Sequence, residues 1–252
     1  MKYAIVTGVS QGLGEAVAKL FIESGIHVIG ISRNNNKKLT TLAEQNNVLF
    51  QHLSCDLGNL EILEQTIDQM NAFLFQEEPT TIYLVNNAAV LEPIAQATEI
   101  NNLELQNHVQ VNAIAPMVLM NSLIRKALEE DVRFIGVNVT SGAAEKPYYG
   151  WSAYCSTKAG INMYTRTVAV EQDQLGTGNK VIAFSPGIMD TQMQEKIRAS
   201  SAADFVEVDT FRNYKQRNLL KDTDAVGGVL VDILTDESNI VNGKVYDVKD
   251  YF

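Results

Sequence analysis

The 252 residues include only two cysteines, three histidines and five prolines, and no cysteine or histidine falls at a metal-ligand spacing. A disulfide framework and a structural metal are therefore not expected, and Cys55 and Cys155 read as reduced packing residues. His27, His52 and His108 have no ligand-type neighbours in the sequence and read as structural histidines. Basic charge is also scarce. Lys and Arg number 20 against 30 Asp and Glu, a net charge of −10. No general basic face is available to release counterions from a polyanion, so nucleic acid is excluded as a partner. No apolar run is long enough to cross a membrane, and the opening MKYAIVTG passes straight into a turn, so a cytoplasmic protein is expected. Linkers, repeats and low-complexity stretches are missing too, and 1–252 reads as a single domain.

What is present is ordinary core material, 46% hydrophobic and 20% charged residues, arranged in a definite order. The apolar run Tyr3 to Val6 leads into TGVSQGLG and then into the helical pattern Glu15 to Glu23. This is strand, glycine turn, helix. Gly8 permits the tight turn, while Gly12 and Gly14 let backbone approach a pyrophosphate and let helix approach strand. Gly8, Ser10, Gly12, Leu13 and Gly14 are accordingly candidate contacts for a dinucleotide. The second strand, His27 to Ser32, delivers its last residue to the adenosine ribose. An enzyme that selects NAD offers a carboxylate there. This chain offers Ser32, Arg33 and Asn34, a hydroxyl and a cation suited to the 2′-phosphate of NADP(H).

The stretch Thr140 to Lys158, TSGAAEKPYYGWSAYCSTK, carries the candidate chemistry. Tyr154 and Lys158 stand four residues apart, so a helix presents both on one face. An ammonium beside a phenol stabilises the phenolate, and the pair is expected to exchange a proton nearer neutral pH. Ser141 closes the apolar run Val132 to Val139, where a buried strand brings its hydroxyl to the sheet edge. Tyr148, Tyr149 and Trp151 lie between the serine and the tyrosine, either as an aromatic wall for a substrate or as core packing.

Strands predicted over Val48 to Ser54, Thr81 to Val85, Val181 to Phe184 and Lys244 to Val248 complete about seven, alternating with helices. The pattern predicts an α/β fold with a doubly wound, Rossmann-type parallel sheet that binds at its C-terminal edge. Polar signals follow the strands. Asp56 either caps the next helix or accepts a hydrogen bond from adenine, and Asn87 and Ala88 suit backbone passing under a flat ligand. Leu103 to Glu129 is expected as one helix kinked at Pro116, with Asn112 inside the kink serving either packing or a bound water. The segment from Gln192 to Arg217 is expected to be irregular and, with its approach from residue 188, to cover a substrate.

Taken in order, Thr7-Gly8-x-x-x-Gly12-x-Gly14, Asn86-Asn87-Ala88-Ala89, Asn112, Ser141, Tyr154 and Lys158 resemble the short-chain dehydrogenase/reductase superfamily over essentially the whole chain, with Ala89 where glycine is usual. The chain is similar to the sepiapterin reductase-like branch. VSQGLGEA and KPYYGWSAYC resemble bacterial members that reduce aryl diketones. The resemblance implies an NADPH-dependent carbonyl reductase in which Tyr154 donates a proton, Ser141 hydrogen-bonds the carbonyl oxygen and Lys158 holds the nicotinamide ribose. By the same likeness Asn112 holds a relay water, and Pro186, Gly187, Ile188 and Thr191 line the cofactor. The implied acceptor is an α-diketone or aryl ketone; another ketone, such as a pterin side chain, and a non-catalytic NADPH sensor are the alternatives. The implied assembly is a homodimer or homotetramer through the long helices.

Overall fold

The computed structural model describes residues 1–252. Seven parallel strands form one sheet: β1 (Lys2–Thr7), β2 (His27–Ser32), β3 (Phe50–Ser54), β4 (Thr81–Asn86), β5 (Arg133–Val139), β6 (Lys180–Ser185) and β7 (Val245–Asp247), in the spatial order β3-β2-β1-β4-β5-β6-β7. The chain runs outward from β1 to β3 and then returns to place β4 on the other flank of β1. Adjacent connections therefore leave β1 and β4 toward opposite sides, which opens a crevice beyond their C-terminal ends.

Both faces of the sheet are covered, which explains the near-continuous apolar strands. Alternate residues of β1 divide between two cores: Ala4 and Val6 join one, Tyr3 and Ile5 the other. The first core is closed by α1 (Gly12–Glu23), α2 (Lys37–Gln45) and α9 (Thr223–Thr235), with Val17, Phe21, Leu39, Val226 and Leu230 fully or almost fully buried. The second is closed by α3 (Leu60–Leu74), α5 (Ala115–Glu129) and α6 (Ser152–Leu175), through residues such as Leu63, Met70, Leu119, Leu123 and Val168.

Two predicted segments differ. The expected single helix over Leu103 to Glu129 is α4 (Asn102–Val109), a π turn over Gln110–Ile114 and then α5, so the distortion lies at Asn112 and Pro116 sits in the first turn of α5. Proline has no N–H, so the Asn112 carbonyl lacks its ordinary α-helical donor, and a widened turn absorbs the break. The segment expected to be irregular contains α7 (Gln192–Ala199) and α8 (Val208–Gln216). Each is short and strongly polar, and each buries only one narrow apolar edge, including Ile197 on α7 and Phe211 on α8. With so few apolar residues on eight or nine positions, such a stretch is hard to distinguish from loop in the sequence.

Candidate active site

The crevice is a cavity of about 1060 Å³ running from the β1–α1 turn and the tip of β2 to α7 and α8. Beneath the glycine turn, buried Thr7 locks the tips of β1 and β4 together. Its Oγ1 accepts the N–H groups of Asn87 (2.9 Å) and Ala88 (3.0 Å), and its carbonyl accepts Asn87 Nδ2 (2.9 Å). The glycine turn wraps this junction with Gly8 and Gly12 at φ +77° and +64°, where a side chain would be strained. Gly14 is not on the cavity surface. A Cβ there would stand 2.3 Å from the Gly8 carbonyl oxygen, so Gly14 lets the helix close on its own turn. Gln11 at the start of α1 makes no side-chain cap, which leaves the first helical N–H groups without that partner.

Ser32, Arg33 and Asn34 border the far end of the cavity. Ser32 is buried, and its Oγ donates to the Asn34 carbonyl at 2.8 Å and lies 3.1 Å from His52 Nε2. The hydroxyl expected to face a ligand thus already organises the loop. The Arg33 side chain makes no ion pair. Asp56 also borders the cavity, but it does not cap the next helix: its Oδ1 accepts Gly58 N–H at 3.0 Å, and the α3 cap is Asn59, accepting from Ile62 N–H at 3.2 Å.

Ser141, Tyr154 and Lys158 meet on the opposite wall. Ser141 ends the strand run and accepts Ala143 N–H at 3.1 Å, which fixes its side chain at the sheet edge. Tyr154 and Lys158 are almost wholly buried on α6. Lys158 Nζ lies 5.7 Å from the Tyr154 ring centre and donates to the Val139 carbonyl at 2.9 Å. An ammonium has three N–H donors, so this single protein bond leaves two for a ligand.

Tyr154 is shifted away from neutrality, opposite to the expectation. Burial pushes the Tyr154 phenol up to about 12 although the Ser141 hydroxyl favours its ionised form, and burial lowers Lys158 to about 8. In a low-dielectric wall the desolvation of each charged form outweighs what a neighbouring cation returns. The phenol is held protonated.

Asn112 lies behind this wall and not on it. Its Oδ1 accepts Val90 N–H at 2.8 Å and its Nδ2 donates to the Val90 carbonyl at 2.7 Å. The side chain is thus held by the Val90 backbone on one side and by His108 Nε2 (3.0 Å) on the other, while Pro116, lacking an N–H, withholds the ordinary α-helical donor from the Asn112 carbonyl.

The remaining cavity is aromatic. Tyr148 and Trp151 line it, whereas Tyr149 points outward and is 47% exposed, so the expected trio is a pair. What the sequence reading missed comes from the covering segment: Phe211 and Tyr214 on α8 line the cavity, and buried Phe205 supports Trp151 from behind. The spacing of Phe205, Phe211 and Tyr214 was the available signal. Pro186, Gly187, Ile188 and Thr191 carry the chain from β6 along the cavity, with Thr191 Oγ1 capping α7 through Gln194 N–H at 3.4 Å. Ion pairs tie this cover down at both ends, Lys215 to Asp190 (2.6 Å) and Lys196 to Glu92 (2.5 Å).

A doubly wound sheet with a glycine turn at its switch point, and a serine, tyrosine and lysine on the facing wall, defines a dinucleotide-dependent oxidoreductase architecture. The chain belongs to the short-chain dehydrogenase family, whose profile matches residues 2–202. It is 39% identical to benzil reductase ((S)-benzoin forming) of Bacillus subtilis (strain 168), over 100% of both chains. It is 37% identical to the enzyme of the same description from Bacillus cereus, over 94% of this chain and 95% of that one. Among solved structures, the short chain dehydrogenase/reductase YIR035C of Saccharomyces cerevisiae superposes with a TM-score of 0.81 at 26% identity, covering 98% of this chain and 96% of that one.

Proposed function

We propose that this protein is an NADPH-dependent carbonyl reductase that converts an α-diketone or aryl ketone to a chiral alcohol, with reduction of benzil to (S)-benzoin as the reference reaction. The observation that carries the reading is the meeting of Ser141, Tyr154 and Lys158 on one cavity wall beside Tyr148 and Trp151. The likeness to the two Bacillus enzymes supports the substrate class.

The residues present fit a dinucleotide. The glycine turn removes side chains where a pyrophosphate would lie, and Gly8, Ser10, Gly12 and Leu13 border that end of the cavity. Arg33, free of any carboxylate, would hold a 2′-phosphate, with Asn34 beside it. Asn87, Ala88, Pro186, Gly187, Ile188 and Thr191 would flank the nicotinamide half, and Lys158 has two open N–H donors for its ribose. When bound, the cofactor supplies the hydride that the ketone carbon receives.

Tyr154 gives its phenolic proton to the ketone oxygen, so that the carbon gains C–H and the oxygen O–H. A phenol held at about 12 is fully protonated at neutral pH and is still far more acidic than the alcohol it generates. Ser141 donates a hydrogen bond to the same oxygen as negative charge develops on it. Lys158 keeps positive charge beside the phenolate that remains, and the Asn112 carbonyl holds a water through which the proton is restored.

We further assign a cytoplasmic homodimer or homotetramer. No helix is long and apolar enough to cross a membrane. The outer faces of α5 and α6 expose Leu128, Met163 and Val170, apolar surface that a second copy would cover.

The test is loss of NADPH absorbance with benzil, run beside NADH and with Tyr154→Phe and Arg33→Ala variants. Expected are turnover with NADPH, a loss of at least about a hundredfold in kcat for Tyr154→Phe, and a rise of about tenfold or more in the NADPH KM for Arg33→Ala with NADH unaffected. Tight NADPH binding without reduction of any ketone would leave a nucleotide sensor. Equal rates with NADH would overturn the role given to Arg33.

A further inference from the structure

His108 on α4 is fully buried four residues before Asn112, directly behind the reactive wall. Its Nδ1 lies 2.7 Å from the Glu92 carbonyl. A carbonyl can only accept, so Nδ1 carries hydrogen and Nε2 of the neutral ring is a lone pair. That Nε2 stands 3.0 Å from Asn112 Nδ2 and 3.1 Å from Thr157 Oγ1. The Asn112 amide is oriented independently by the Val90 peptide, whose N–H it accepts and whose carbonyl it serves. Both assignments agree: the second hydrogen of Asn112 Nδ2 points at a ring nitrogen that receives it.

Thr157 extends the arrangement into α6. Its single hydroxyl hydrogen goes to the Ala153 carbonyl (3.0 Å) or the Tyr154 carbonyl (3.1 Å), so it packs beside the ring nitrogen without a hydrogen bond to it, one residue before Lys158. The Tyr154 ring meets the imidazole edge to face, with centroids 6.1 Å apart. One imidazole thus joins the loop after β4, the π turn and the helical turn that bears the reacting tyrosine and lysine.

We propose that His108 is a positioning residue of this site, which must stay neutral to hold the Asn112 amide and which braces the Tyr154 ring by their edge-to-face contact. The inference rests on the reductase reading. A proton on Nε2 would face Asn112 Nδ2, donor against donor. Turning the amide over would relieve that clash only by setting Nδ2 against the Val90 N–H. A charged ring and a seated Asn112 exclude each other.

The groups facing the ring are Lys158 and Tyr154 from α6 and Glu92 from the loop after β4. Burial opposes imidazolium most strongly and the Lys158 charge adds to it, while the Glu92 carbonyl favours it, and the balance lies below the ordinary histidine value. Protonation on acidification therefore switches the site off at a pH lower than a free histidine would.

The test begins with long-range ¹H–¹⁵N spectra of the full-length protein. At pH 7.5 the His108 ring is expected as the neutral Nδ1–H tautomer, charging only at a pH below the ordinary histidine range. An Nε2–H tautomer, or imidazolium at neutral pH, overturns the proposal. This readout needs no substrate, so it judges His108 even if every ketone is refused. In turnover, the wild-type kcat is expected to fall on the acid side with the midpoint seen by NMR. His108→Gln, whose amide can accept from Asn112 without titrating, is expected to keep kcat within about threefold at pH 8 and to lose that acid limb. His108→Leu is expected to lose about tenfold or more in kcat. An unchanged acid limb in His108→Gln, or wild-type kcat in folded His108→Leu, would count decisively against it.

Discussion

Trp151 stacks on Phe205 with ring centroids 4.4 Å apart and planes inclined by only 17°, and Tyr154, the tyrosine expected to donate the proton, meets the same indole with centroids 5.4 Å apart and planes at 63°. The covering segment is therefore continuous with Tyr154 through one aromatic side chain and its two ring contacts. Trp151 borders the cavity and lies between the cover and Tyr154.

Trp151→Ala should lower kcat/KM for aryl ketones by about tenfold or more, because the lost face removes stacking that small alkyl ketones do not use. The measurement is the ratio of benzil to butane-2,3-dione turnover. A ratio equal to that of wild type would assign the indole to packing alone.

Lys158 is lowered to about 8 and Tyr154 raised to about 12, so between these values the phenol stays neutral while the ammonium is lost. Ketone reduction should therefore decline as pH rises through about 8, well before the tyrosine titrates. A kcat profile from about pH 6 to about pH 11 should show this limb, and Lys158→Met should abolish it together with at least about a hundredfold of the rate. A limb appearing only above about pH 10 would assign it to the tyrosine instead.

Gly14→Ala places a Cβ 2.3 Å from a backbone oxygen that cannot move without opening the turn. A cost of about 1 to 3 kcal/mol in stability and a loss of dinucleotide affinity are expected. Gly160→Ala, on α6 with nothing within 4 Å of the added atom, should instead gain about 0.5 to 1 kcal/mol from helix propensity. Thermal melts with and without NADPH compare the two directly.

At the opposite edge of the sheet, Glu237 receives Lys2 (2.8 Å), Arg133 (2.9 Å) and the Tyr83 hydroxyl, joining β1, β4 and β5. Burial works against its carboxylate, but the hydrogen bonds from Lys2, Tyr83 and Arg133 outweigh it and hold the group at about 2. The folded value lies below the unfolded one, so the stabilisation is complete above the ordinary carboxylate range and fades as pH falls toward about 2. Because Lys2 and Arg133 are exposed, Glu237→Gln should cost only about 1 kcal/mol at pH 7. Denaturant melts of both proteins should converge as the pH is lowered.

Local chemistry made much of this protein legible in its sequence. Alternating Tyr3-Ala4-Ile5-Val6, the glycine turn and the Tyr154–Lys158 interval are short-range constraints: strand period, left-handed backbone and helical pitch each act within a few residues. The order of these segments is enough to imply a parallel sheet with its site at one edge. Seven strands and their crevice followed from that order.

Other properties depend on what distant segments place around a residue. Tyr154 and Lys158 are neighbours in any helix, yet their proton affinities are set by burial against the wall formed by β5, the loop after β4 and α7–α8. Ser32 borders the cavity as its position on β2 suggested, but its hydroxyl is also engaged by the Asn34 carbonyl and by His52, twenty residues away. His108 looks inert as a lone histidine and acquires a role only where Glu92, Asn112 and Thr157 converge on it. The sequence alone determined which chemical groups exist and their local spacing. Desolvation and hydrogen-bond competition, which are properties of the packed whole, decided their charge and their partners.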